Sequence, residues 1–202
     1  MTSALREGGS TSERQLGAAL LAIARSAIEE ALGVRAADAP RGADGALGEP
    51  GATFVTLRKD GELRGCIGSL EPRRALADDV CANARAAAFG DPRFPPLTRD
   101  ELAAIEVEVS LLGPSSPLAC ADEADLLAQL APGIDGLVLE HPAGRATFLP
   151  QVWEVLPQPR DFLAALKRKA GLPADYWSPK LAFRRYGVGH WAEHEFPGEE
   201  VR

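Results

Sequence analysis

Asp60-Gly61 stands between two runs that alternate with a period of two, and this pairing constrains the fold more than any other feature of the chain. Both central residues of a type I′ turn need positive φ, which Asp-Gly supplies. A two-residue loop then pairs residues 53–59 with residues 62–67 as an antiparallel hairpin. In that register Arg64 faces Leu57 and Cys66 faces Val55. The period of two also puts Arg64 and Cys66 on one face of the second strand, roughly 6.5–7 Å apart. Pro72 suits the first turn of a helix, because its missing N–H has no partner to lose there. A thiol, a guanidinium and a helix N-terminus are therefore expected to converge around Leu63-Arg64-Gly65-Cys66-Ile67-Gly68, an arrangement that stabilises a thiolate or a bound anion.

Each candidate in that segment has a functional and a packing reading. Cys66 is either a nucleophilic or redox thiol, activated by Arg64 and the helix terminus, or a small half-hydrophobic core residue. Its apolar cross-strand neighbours and the lack of a nearby base in sequence weigh toward ligand contact or structural support. Arg64 on a semi-apolar face needs either an anionic ligand or an internal carboxylate, with Glu71, Asp91 and Glu108 as the candidates. Gly65 and Gly68 permit close backbone approach or a bulge and are expected to line the site. No GxxxxGK[ST] or GxGxxG is present, so nucleotide sites of those types are unsupported.

Downstream, residues 91–97 hold three prolines and cannot continue a helix. Arg93 and Phe94 sit in this stiff frame, Arg93 as a ligand-binding candidate and Phe94 as a plug for the core, and an X-Pro bond here has access to the cis form. His141, His190 and His194 are scattered and lack HExxH spacing; His190 and His194 would share a face only if a helix ran through Trp191, so no metal site is assigned. In Thr147-Phe148-Leu149-Pro150-Gln151-Val152-Trp153 the aromatics read as core, and Gln151 is the polar group expected to face a ligand. Lys167-Arg168-Lys169 is a solvated helix C-terminus or the best local basic patch.

Helical spacing of Leu16, Leu20, Ile23, Ala27 and Leu32 predicts a first helix, opened by a capping box at Ser12-Glu13-Arg14-Gln15 and closed by Gly33. Residues 38–51 read as a loop. Leu76, Val80, Ala84 and Ala87 mark the buried face of a second helix, and Thr98-Arg99-Asp100-Glu101 is a further capping box opening a short one. Ile105, Val107, Val109 and Leu111 alternate with polar residues as a half-buried strand. A helix over residues 122–130, a hairpin turning at His141-Pro142-Ala143-Gly144, a helix opened by Pro159 and stopped by Gly171, and a last strand over 181–188 complete the pattern. Hairpins interspersed with helices indicate an α+β architecture. Residues 12–193 are expected to form the folded domain, with 1–11 and 198–202 as flexible tails.

A net charge of −7 supplies no dense basic surface, so nucleic acid is disfavoured as a partner. Three cysteines without paired spacing argue against a disulfide framework and a Cys-based zinc site. No apolar run reaches the ~20 residues that span a bilayer, and no secretory signal is visible. The expected location is the cytoplasm.

Leu63-Arg64-Gly65-Cys66-Ile67-Gly68 is similar to the signature of the AMMECR family. The resemblance continues, in the same order, through Phe54-Val55-Thr56-Leu57, Phe89-Gly90-Asp91-Pro92-Arg93-Phe94-Pro95-Pro96-Leu97, Ile105-Glu106-Val107-Glu108-Val109-Ser110, Gly133-Ile134-Asp135-Gly136-Leu137, the Thr147 to Trp153 segment and Lys169-Ala170-Gly171-Leu172. It covers residues 16–193. It implies a mixed, mainly antiparallel α+β fold with a larger and a smaller lobe. It also implies a place as protein A of a three-component system with a Memo-like protein and a radical-SAM protein. The family's biochemical role is not set by the resemblance, and no cofactor follows from it. Three functions stand: an enzyme or enzyme component binding a small anionic ligand beside the motif strand, an adaptor docking a Memo-like or radical-SAM partner, and a nucleic-acid-associated regulatory module.

Overall fold

A computed structural model describes residues 11–34 and 45–196. In chain order these form α1 (Thr11–Ala31), β1 (Pro50–Gly51), β2 (Thr53–Lys59), β3 (Glu62–Gly68), β4 (Arg74–Ala75), α2 (Leu76–Phe89), β5 (Ile105–Leu112), β6 (Ser116–Pro117), α3 (Glu123–Gln129), β7 (Gly136–His141), β8 (Gly144–Phe148), α4 (Pro159–Lys169), β9 (Ala182–Tyr186) and β10 (Val188–Ala192). The expected tails at 1–10 and 198–202, and residues 38–44 of the expected loop at 38–51, lie outside the described residues; the rest of that loop holds a short helical turn at Gly45–Leu47 and β1, and Thr11 already belongs to α1. The capping box proposed at Ser12 therefore falls inside the helix, whereas Gly33, at φ +65°, closes it as expected.

The architecture is α+β, with antiparallel sheets and helices, and the chain divides into two units. The first comprises residues up to Leu111 together with those from His190 onward. Its four-stranded sheet has the order β10-β5-β2-β3. One face of that sheet, carrying Val55, Leu57, Val107 and Val109, is buried with α1 and α2 residues including Leu20, Ile28, Val80 and Ala84. These are the faces that the helical and strand periodicities mark. The second unit, Leu112–Gly189, has a sheet in the order β6-β9-β7-β8. Its core joins Leu137 and Leu139 to Phe162, Leu163 and Leu166 of α4, with Trp153 stacked on Phe162 at 3.7 Å between ring centroids.

Three expectations about the elements are corrected. The second helix begins at Leu76, not near Pro72, because Arg74 and Ala75 stay extended and pair with Gly51 and Pro50. The last strand is two strands, β9 in one sheet and β10 in the other. The prolyl segment plugs the core with buried Leu97, while Phe94 is only half-buried and lies under the Arg93 guanidinium. All peptide bonds among the described residues are trans.

Candidate functional site

The Asp60-Gly61 turn forms as its chemistry requires, with φ of 53° and 80°. Lys59 pairs with Glu62 and Arg58 with Leu63, after which the register shifts: Leu57 faces Gly65, Thr56 faces Cys66 and Val55 faces Ile67. Arg64 is the extra residue of a β-bulge. This overturns the expectation that Arg64 faces Leu57 and Cys66 faces Val55. It also ends the simple alternation that put both on one face.

Next to the bulge, Gly65 lies against α2. A Cβ there would sit 2.2 Å from the carbonyl oxygen of Ala87, near the end of α2. Helix backbone presses directly onto the strand, and only glycine leaves the space. The helix terminus that meets the motif is therefore the carboxyl end of α2, not its N-terminus. The expected convergence of thiol, guanidinium and helix N-terminus does not occur. A helix C-terminus carries partial negative charge and does not stabilise a thiolate.

Arg64 is 9% exposed and spends its charge on Glu101, with Nε donating to Oε1 at 3.0 Å and Nη2 to Oε2 at 3.0 Å. Glu101 closes the expected capping box, receiving the Thr98 N–H, and also accepts from Lys59 Nζ. Arg64 beside it holds the Glu101 carboxyl well below the usual carboxylate range, against the opposing effect of burial. None of the three carboxylates named from sequence is the Arg64 partner: Glu71 pairs with Arg73, Asp91 with Arg93 and Glu108 with Arg58. Arg64 Nη1 is buried without a hydrogen-bond partner among the described residues.

Cys66 is half-buried beside Thr56, whose hydroxyl donates to Sγ at 3.4 Å. Its backbone is clamped from outside the sheet. The Cys66 N–H donates to Asp91 Oδ2 at 2.9 Å, and the Cys66 carbonyl accepts from Arg93 Nη2 at 3.2 Å. Asp91 is 5% exposed and also receives Arg93 Nε at 2.9 Å and Nη2 at 2.6 Å. The Arg93 bond holds the Asp91 carboxyl well below its ordinary range although burial acts the other way. The same carboxylate raises the pKa of Arg93 through its hydrogen bond, against the opposing effect of burial. Arg93 nevertheless keeps 54% of its side chain exposed.

The remaining candidates are dispersed. Gly68 lies under the Phe54 ring, 2.2 Å from where its Cβ would be. Gln151 belongs to the Leu112–Gly189 unit, in a short helical turn at Pro150–Glu154. His190 lies in β10, its Nδ1 3.1 Å from Ser110 Oγ, and His194 pairs with Glu106 in a following turn, so the two share no helix. His141 Nε2 is 3.1 Å from the Tyr176 hydroxyl. Among the described residues no group of three or more His, Cys, Asp or Glu is placed to hold a metal ion. The basic run is not a solvated terminus throughout: Lys167 is fully buried, donating to Glu123 at 2.7 Å, and Lys169 donates to the Thr147 carbonyl.

Sequence reasoning missed Glu101 and Thr56 as members of the site and offered Asp91 only as a partner for Arg64, whereas it pairs with Arg93. Two had a readable signal. Asp91 and Arg93 flank a proline, which fixes two opposite charges in one frame, and Glu101 is the acidic end of the capping box. Thr56 had none, because only the bulge brings it opposite Cys66.

A thiol on a bulged edge strand, sealed through its backbone by an Asp–Arg pair from a prolyl loop, sits here in a two-unit α+β chain with antiparallel sheets. Fold and site together define a class of protein by its strand chemistry rather than by a nucleotide loop or a metal cluster. The chain belongs to the AMMECR1 family, whose model matches residues 21–191. It is 41% identical over 180 residues to a protein of Methanothermobacter thermautotrophicus, covering 86% of this chain and 92% of the relative. It is also 41% identical over 197 residues to one from Aeropyrum pernix, covering 92% and 82%. The crystal structure of protein PH0010 from Pyrococcus horikoshii superposes with a TM-score of 0.79 at 32% identity, over 88% of this chain and 91% of that one. No helix among the described residues is long and apolar enough to cross a membrane.

Proposed function

We propose that this protein is an enzyme, or a component of one, that binds a small anionic ligand beside the Leu63 to Gly68 strand. The observation that carries this reading is the Arg93 guanidinium, anchored along one edge by buried Asp91 yet half exposed where it meets the Cys66 carbonyl. An anchored guanidinium loses little freedom on receiving an anion and so binds it with less entropic cost. In this reading Arg64 holds the bulge through Glu101 while Arg93 faces the anion, and Cys66 offers sulfur as contact or nucleophile.

The test compares two alkylating reagents on Cys66 in a chain carrying C81S and C120S. Iodoacetate is an anion and iodoacetamide is neutral, so the ratio of their rates cancels the ionisation of the thiol and reports the local field. A ratio several-fold above that of the urea-unfolded chain, falling with salt and lost in R93M, upholds the reading. A ratio equal to that of the unfolded chain overturns it.

Leu63 and Leu70, 38% and 42% exposed, bracket the same motif. They support a second reading in which this strand docks a protein partner, the Memo-like or radical-SAM protein that the family resemblance implies. Under it the uncharged L63S/L70S abolishes capture of those proteins while leaving the alkylation ratio intact; unchanged capture sinks it.

A further inference from the structure

We infer that Asp91 is a positioning residue, which sets the Arg93 guanidinium against the Cys66 backbone and locks it to the edge of β3. The inference rests on the reading of Arg93 and Cys66 given above and extends it to the group that fixes their geometry.

β3 is the last strand of its sheet, so the outward N–H and C=O of Cys66 have no strand to meet. Asp91 and Arg93 take that place. The carboxylate accepts the Cys66 N–H, the guanidinium donates to the Cys66 carbonyl, and the two side chains are bound to each other. The result is a closed ring of hydrogen bonds through a single residue of the motif. Asp91 also accepts the Arg93 backbone N–H at 3.1 Å, so both the main chain and the side chain of Arg93 are referred to one buried carboxylate.

Sealing a strand edge needs only one acceptor and one donor, which neutral side chains provide. A charged pair in which one member is almost wholly buried and the other half exposed does something more. It fixes the direction in which the exposed nitrogens of the guanidinium point. Pro92 between the two, and Pro95 and Pro96 beyond, restrict φ along the loop and keep that direction from averaging. Arg93 without Asp91 is a flexible surface arginine; with it, the arginine is a fixed cation on the Cys66 carbonyl.

The experiment uses the full chain carrying C81S and C120S, with D91N, R93M and the D91N/R93M pair added. It reads the pH profile of the iodoacetamide rate, the iodoacetate to iodoacetamide ratio and thermal unfolding. D91N keeps an acceptor for the Cys66 N–H but loses the charged grip on Arg93. It is expected to give the profile and ratio of D91N/R93M, because Arg93 no longer stays at Cys66; a ratio above the parent's, from Arg93 held in place without its neutralising carboxylate, overturns the inference. R93M alone leaves the Asp91 carboxylate uncompensated beside Cys66 and is expected to give the lowest ratio of the set. R73M, which removes an exposed arginine held by Glu71 outside the prolyl loop, leaves both readouts unchanged. D91E is measured alongside, because its charge is kept and only its reach is altered; it gives an intermediate result. If D91N or D91E loses thermal stability while profile and ratio stay at their parent values, Asp91 is merely structural and the inference fails. The two readings separate cleanly. A parent ratio equal to that of the unfolded chain removes the anion site, and the pH profile of D91N then still decides whether Asp91 positions Arg93.

Discussion

Ala87 presents a backbone oxygen to Gly65, and a backbone atom near the end of a packed helix has nowhere to rotate. Gly65→Ala is accordingly expected to destabilise the protein by about 1–3 kcal/mol, the usual cost of forcing extra volume into filled space. Urea unfolding checks it: the midpoint falls while the slope is kept. Gly61, with no atom within 4 Å of a built Cβ, is constrained instead by its φ of 80°. At this scale the sequence singled out residues that need a partner and mistook some of those partners. Cys66, Arg64 and Arg93 were each legible as chemistry, because a thiol or a guanidinium in an alternating strand or a prolyl loop demands an explanation. The partner of Arg64 was not. Glu101 is 37 residues away in sequence, and which of several carboxylates reaches the strand depends on how the intervening turn docks.

Elements join through such charged contacts, and the short turn at Thr98–Glu101 is the clearest case. It is held to the β2–β3 hairpin by Arg64 and Lys59 converging on one carboxylate. Removing one member of a mostly buried pair leaves the other uncompensated, so Glu101→Ala is expected to cost about 3 kcal/mol. The pH dependence has a definite sign. Glu101 is held below its ordinary value of 4.5 in the folded protein, so its contribution is complete above that value and is lost as pH falls through the lowered one. Glu101→Gln should therefore narrow the stability gap to the parent chain as pH drops below about 4.5, measured by thermal unfolding across that range; a constant gap counts against the pair. Elements with a strong local signal were legible, including the β2–β3 turn, the alternating β5, the buried stripe of α2 and the Pro159 to Gly171 limits of α4. The start of α2 was not, because pairing of Arg74 and Ala75 with β1 outweighs the suitability of Pro72 for a first helical turn.

Across the whole molecule, the division of the chain was the least legible property. Residues 181–188 carry one continuous strand pattern, yet backbone pairing passes from one sheet to the other around Gly187. Periodicity reports that a segment is extended and is silent about its partner. The consequence for stability is testable. Beyond Gly189 the chain supplies Trp191 packed on Gly17, Phe196 to the core, and Glu193, which binds Arg25 through two of its nitrogens and accepts the Val107 N–H. A chain ending at Gly189 is expected to lose cooperative unfolding of the first unit while Leu112–Gly189 keeps its protection, read by hydrogen exchange of each segment. Equal protection in both units would show that β10 and its following turn are dispensable.

That same division dictates an order of events on the ribosome. Chains are made from the N-terminus onward, and domains ordinarily fold in that order as they emerge. Here the sheet bearing Cys66 has three of its strands made early and must wait for the fourth until every residue of Leu112–Gly189 has been synthesised. The inserted unit has all its own strands in hand first. A nascent chain stalled just short of β10 would thus hold a finished insert and an unfinished host, with the outer edge of β5 bare and open to chaperones.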